Sequence, residues 1–161
     1  MGKLSIKSNA LKLIFFIVLI ELLGMLSSVF AGNIKLKYNA LNLPPLSPPD
    51  YLFGIVWPLL YLMIAVAGYI IIISNKSRIK FSFNPTLLFW LQLLLNFIWS
   101  IVFFNQFYFI GLIIIIFLDL IVLLCIVEFY KVSKLASYLL IPYMLWILFA
   151  TYLTLGVVIL N

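Results

Sequence analysis

Five stretches of this chain run for about twenty residues or more with almost no charge, and that pattern leaves few folds open to it. Roughly twenty apolar residues wound as a helix cross the hydrocarbon of a bilayer. The stretches fall at about residues 10–31, 49–73, 85–104, 107–129 and 135–160. In lipid every backbone N–H and C=O must find its partner within the chain, so such spans are helices. The expected fold is an all-α integral membrane protein, a single domain over residues 1–161 built as a five-transmembrane-helix bundle. Composition agrees: 67% of residues are hydrophobic and 9% charged, against about 45–50% and 25% in soluble domains. The lipid bilayer is the first partner expected.

The first span has a basic approach (Lys3, Lys7, Lys12) and a small residue at Ala31, as a signal peptide would. Its apolar run is long for that, and Glu21 sits in the middle, so it is read as a retained helix. Asn84 before Pro85 reads as an N-cap followed by proline at the first helical position. Short connections at Asn105–Gln106 and Lys131–Lys134 make the third, fourth and fifth spans antiparallel neighbours.

Ten basic residues face four acidic ones, a net charge of +6. Eight of them (Lys3, Lys7, Lys12, Lys76, Arg78, Lys80, Lys131, Lys134) fall on one side of the bundle, and only Lys35 and Lys37 on the other. They read as topology signals and not as a nucleic-acid patch. The expectation is a multi-pass cell-membrane protein with its N-terminus in the cytoplasm, and its C-terminus and Pro-rich first loop outside.

The chain has no His and one Cys, Cys125. That excludes a disulfide within the chain, a His/Cys zinc site, a His general base and a proximal His for haem. No metal site, required cofactor or conventional catalytic constellation is expected, and no catalytic residue is assigned.

Four stretches carry the remaining polar and aromatic signal. Pro44, Pro45, Pro48 and Pro49 flank Leu46 in a stiff segment that cannot be helix. On composition alone it is a connector. Trp57 and Tyr61 share a helical face, with Pro58 between them either in the first turn or breaking a bond to Gly54. In the third span Gln92, Asn96 and Ser100 form a polar stripe with Trp99 beside it; such a stripe is interhelical glue or a hook in a pocket. In the fifth, Tyr143, Trp146, Ala150 and Thr154 share one face, and Pro142 bends the helix. Glu21 and Asp119 lie deep in spans with no basic partner at matching depth, which makes both functional candidates. Gly24, Ser28 and Gly32 suit close helix packing. Glu128, near the fourth loop, reads as an interfacial charge.

In their order, "YNALNLPPLSPP", "FGIVWPLLYLM", "LQLLLNFIWSIVFF" and "LIPYMLWILFATYL" resemble the tryptophan-rich sensory protein, or translocator protein, family (TspO, formerly the peripheral benzodiazepine receptor). The resemblance covers most of the chain. It implies a five-helix bundle, often a homodimer, whose internal pocket binds porphyrin and similar flat ligands. It puts Trp57, Tyr61, Asn96, Trp99, Trp146 and Ala150 on pocket positions, with Tyr143 added from the shared face of the fifth span. The Pro-rich stretch (Pro44, Pro45, Leu46, Pro48, Pro49) becomes a lid. Leu46 stands where members often carry Trp, Thr154 where they carry Asn, and the basic residue of the animal sterol motif is missing. The loose match Val127–Tyr130–Lys134 does not support sterol recognition. The function expected is that of a membrane receptor or sensor binding a tetrapyrrole. The alternatives are a light- and oxygen-dependent porphyrin-degrading enzyme, or a transporter of porphyrin-like molecules.

Overall fold

The computed structural model describes residues 2–74 and 79–161, with side chains from residue 9 onward. Seven helices follow one another: α1 (Gly2–Ala31), α2 (Ile34–Asn39), α3 (Tyr51–Ile73), α4 (Pro85–Phe104), α5 (Tyr108–Val132), α6 (Lys134–Leu139) and α7 (Ile141–Leu160). Five segments are long and apolar enough to cross a membrane, and α6 with α7 makes the fifth. There is no strand among the described residues. The five expected spans are present, the third with both ends as expected and the others with ends moved by at most three residues.

The chain breaks have local causes. Gly32 ends α1 at φ +82°, a left-handed backbone that glycine adopts without a Cβ penalty. Asn33 then starts α2, its side-chain oxygen accepting from the Leu36 N–H at 3.0 Å. This short helix lies inside the first loop and was not expected. Asn84 caps α4 as expected, accepting from Thr86 N–H at 3.0 Å and Leu87 N–H at 3.3 Å. The fourth connection shrinks to Ser133, because α5 runs on to Val132 and α6 starts at Lys134. Pro142 acts at the start of α7, so the fifth span is two pieces joined at Leu140 and not one bent helix. Pro58 is well inside α3. It therefore lies past the first turn, and the Gly54 carbonyl has no i+4 donor.

In the bundle α5 lies between α4 and α7, as the short connections require, and α1 packs on α3 and α4. One apolar core includes Ile64, Phe89, Val122, Phe129 and Tyr143. A second, toward the first loop, joins Tyr38, Trp99, Phe103 and Ala150. Leu11, Phe15 and Val29 of α1 face outward, where lipid replaces water as their environment. Gly24 and Gly68 allow the closest approaches: the Tyr61 ring lies against the first and the Phe89 ring against the second. Of the small-residue series of α1, Gly24 thus serves packing within the chain.

One feature differs from expectation on the face opposite the first loop. Glu128 is buried, 2.8 Å from Lys131 Nζ, and accepts from the Ser82 N–H at 3.1 Å. It fastens the 79–84 segment to α5 and is not an exposed surface charge. Lys76 and Arg78, and the side chains of Lys3 and Lys7, lie outside the described residues.

Candidate ligand cavity

A cavity of about 350 Å³ opens between α1, α3 and α4 beneath the first loop, within the ~300–1,000 Å³ range of small-molecule sites. Its aromatic wall comes from α3. Phe53, Trp57 and Tyr61 recur every four residues, so the helix presents all three on one side. Trp57 and Tyr61 lie 5.4 Å apart between ring centroids, tilted by 31°. Trp99 of α4 adds a further wall, stacked on Phe103 at 5.4 Å. Its indole N–H is buried and has no acceptor among the described residues. Gly54 and Pro58 also line the cavity, and a Cβ at Gly54 would meet only open space. From α1 come Glu21, Gly24 and Ser28, spaced i, i+3, i+7 on one face.

The roof is α2 and the end of the first loop, which contribute Ile34, Lys35, Tyr38 and Asp50. Lys37 Nζ donates to Ala31 O at 2.7 Å and Asn105 Oδ1 at 3.0 Å, tying α2 to the ends of α1 and α4. Tyr38 OH donates to Pro48 O at 2.7 Å, and burial pushes its phenol up from the ordinary value. Asn39 Nδ2 donates to Asp50 Oδ2 at 2.9 Å, and Lys35 Nζ lies 3.7 Å from the same oxygen. The Asn39 hydrogen bond, with Lys35 adding to it, holds the Asp50 carboxyl below the usual carboxylate range.

Pro44, Pro45, Leu46, Pro48 and Pro49 do not border the cavity. They fasten the roof to α7: Pro44 packs on Gly156, Tyr152 OH donates to Pro45 O at 2.7 Å, and Asn161 Nδ2 donates to Asn42 O at 3.0 Å. Leu46 points outward at φ +66°. The cover over the cavity is therefore a helix, and the prolines are its strap.

Of the expected pocket residues, Trp57, Tyr61 and Trp99 line the cavity. Asn96 and Tyr143 stand behind it. Tyr61 OH donates to Asn96 Oδ1 at 3.2 Å and Asn96 Nδ2 donates to Tyr143 OH at 2.8 Å, a buried chain joining α3, α4 and α7. Trp146 packs edge-on against Phe53 at 6.0 Å, and Ala150 belongs to the second core; neither borders the cavity. The fifth-span face turns toward the core because the cavity lies on the far side of α3 and α4. Thr154 satisfies its hydroxyl on Ala150 O at 2.8 Å. Of the polar stripe, Ser100 reaches the cavity, while Gln92 is buried with no partner for its amide among the described residues. Asp119 accepts from Thr151 Oγ1 at 2.8 Å between α5 and α7, away from the cavity.

Sequence reasoning did not assign Phe53, Tyr38 or Glu21 to the site. Phe53 extends the Trp57–Tyr61 spacing by one more turn, and that signal was available.

The family model described as "TspO/MBR family" matches residues 16–160, which include every cavity residue. The chain is 42% identical over 158 residues to the "Tryptophan-rich protein TspO" of Archaeoglobus fulgidus, covering 95% of this chain and 99% of that protein. It is 37% identical over 125 residues to the protein of the same name from Chlorobaculum tepidum, covering 77% and 78%. It is 35% identical over 124 residues to the "Uncharacterized membrane protein YtaB" of Bacillus subtilis, covering 73% and 75%.

Proposed function

This chain belongs to the TspO/MBR family of multi-pass membrane proteins, and from that premise we propose that it is a membrane receptor or sensor whose ligand is a tetrapyrrole or a similarly flat, apolar molecule. The observation that carries the reading is the convergence of Trp57, Tyr61 and Trp99 on one cavity. Flat π-systems pack on such faces, each contact worth about 0.5–1.5 kcal/mol beyond its buried area. Lys35 at the roof suits the carboxylate edge of a porphyrin, so the macrocycle enters apolar edge first. Without His to ligate iron, the metal-free macrocycle is the better fit. The eight-to-two distribution of basic residues supports a cytoplasmic N-terminus with the roof outside. A homodimer belongs to the same reading, on the family resemblance.

Protoporphyrin IX titrated in the dark against detergent-purified protein, followed by Trp fluorescence with inner-filter correction, tests this. Trp57→Leu and Trp99→Leu should weaken saturable binding, and Asn96→Ala should weaken it less, through Tyr61. Trp90→Leu, away from this cavity, should not. No saturation, or equal weakening by all four, refutes the assignment.

A further inference from the structure

Glu21 is the feature of the cavity that the proposed function leaves unused. It is ten residues before the end of α1, so it sits about 15 Å below the roof at the rise of an α-helix. The other two walls, α3 and α4, contain no charged residue. The remaining charges on the cavity, Lys35 and Asp50, are at the roof and pair with each other at 3.7 Å. Glu21 makes no side-chain hydrogen bond or ion pair with any described residue, whereas the other deep acid, Asp119, has Thr151. An acceptor is thus left unclaimed on an aromatic-walled cavity, and a charged donor that reached it would make a charge-assisted hydrogen bond.

We propose that Glu21 is a specificity-determining residue: its carboxyl anchors a hydrogen-bond-donating nitrogen, above all a cationic one, on the inner edge of the ligand. The inference rests on the cavity being the ligand site. It gives the site a polarity. A donor nitrogen belongs at the Glu21 end, and an anionic group belongs at the Lys35 end. Flat aromatics carrying a cationic or donating nitrogen are held in preference to neutral molecules of the same shape.

The test uses two dyes of one ring system, 9-aminoacridine, a cation at neutral pH, and neutral acridine. Each is titrated against the full-length protein in detergent, with titrations of empty micelles subtracted. Wild type should bind 9-aminoacridine about tenfold or more tighter than acridine, the worth of one charge-assisted hydrogen bond. Glu21→Gln should erase the preference, and Glu21→Asp, which keeps the carboxyl on a shorter arm, should retain part of it. A wild type without preference overturns the inference and needs no variant. So does a preference that survives Glu21→Gln, as it would if water in the cavity simply solvated Glu21. If both dyes saturate and Trp57→Leu weakens both, but no preference exists, only the role of Glu21 is lost. If neither dye saturates, the cavity reading falls with it.

Discussion

Gly24→Ala should cost ligand affinity far more than stability. A Cβ on Gly24 would overlap the Tyr61 ring, closest to Cε2 and 2.6 Å from Cδ2. The ring must retreat by about an ångström to restore ordinary contact. Tyr61 lines the cavity, so it has somewhere to go. The move breaks its 3.2 Å hydrogen bond to Asn96, already long for an O–H donor. That loss is worth about 0.6 kcal/mol in a membrane bundle. Replacing glycine by alanine within a helix returns about 0.8–1 kcal/mol. The two offset each other, and stability should change by less than about 1 kcal/mol. The ring now occupies ligand space, and overpacking of about 1–3 kcal/mol translates to about 5- to 150-fold weaker binding. Gly68→Ala is the contrasting case. Its Cβ would overlap Phe89, which is fully buried in the main core and does not line the candidate cavity. There the strain stays in the fold, at about 1–3 kcal/mol, and affinity holds. Thermal unfolding in detergent and protoporphyrin titration separate the two. In a Tyr61→Ala background Gly24→Ala should become silent for binding. An equal loss of affinity in that background, or a Gly24→Ala protein as destabilised as Gly68→Ala with intact binding, would refute the reasoning.

Gly54→Leu should fill the cavity from a position with open space around it, abolishing saturable porphyrin binding while the thermal midpoint holds or rises. Gly156→Ala should dislodge Pro44, whose Cγ would lie 2.5 Å from the new methyl, and limited proteolysis should then cut the first loop sooner. Because the Asp50 carboxyl is held below its ordinary value, its contribution to the roof is present above about pH 4 and disappears as pH falls through the depressed folded value. Amide exchange across residues 33–50 should accelerate there in wild type relative to Asp50→Asn, which lacks the titration; parallel pH profiles would count against it.

The spans were legible because their signal is additive: twenty apolar residues announce a helix whatever surrounds them. The cap at Asn84 was legible because it depends on two adjacent residues. The short helix α2 has six residues, too few for periodicity to declare it, and beyond its Asn33 cap it is held by the bonds of Lys37 and Tyr38 to residues outside it. Side-chain facing was half legible. The spacing of Trp57 with Tyr61 and of Gln92 with Asn96 fixes which residues share a helix face. It does not fix which neighbour that face meets. Asn96 therefore turned out to brace Tyr61 from behind, with Tyr143 beyond it. Glu21 and Asp119 looked alike by depth. Only packing separates them, one on the cavity and one bonded to Thr151 between two helices.

Part of the cavity wall is invisible to side-chain scanning. Pro58 has no N–H to offer, so the Gly54 carbonyl lacks its usual helical donor, and both residues are on the cavity wall. Gly54 presents no side chain to remove. The acceptor there is main chain, and an alanine scan, which reaches the aromatic and charged side chains, would pass over it. Its one genetic handle is Pro58, where any other residue returns the missing N–H and mends the helix. A variant at Pro58 that gains stability while losing ligand would reveal the peptide backbone itself as a binding group.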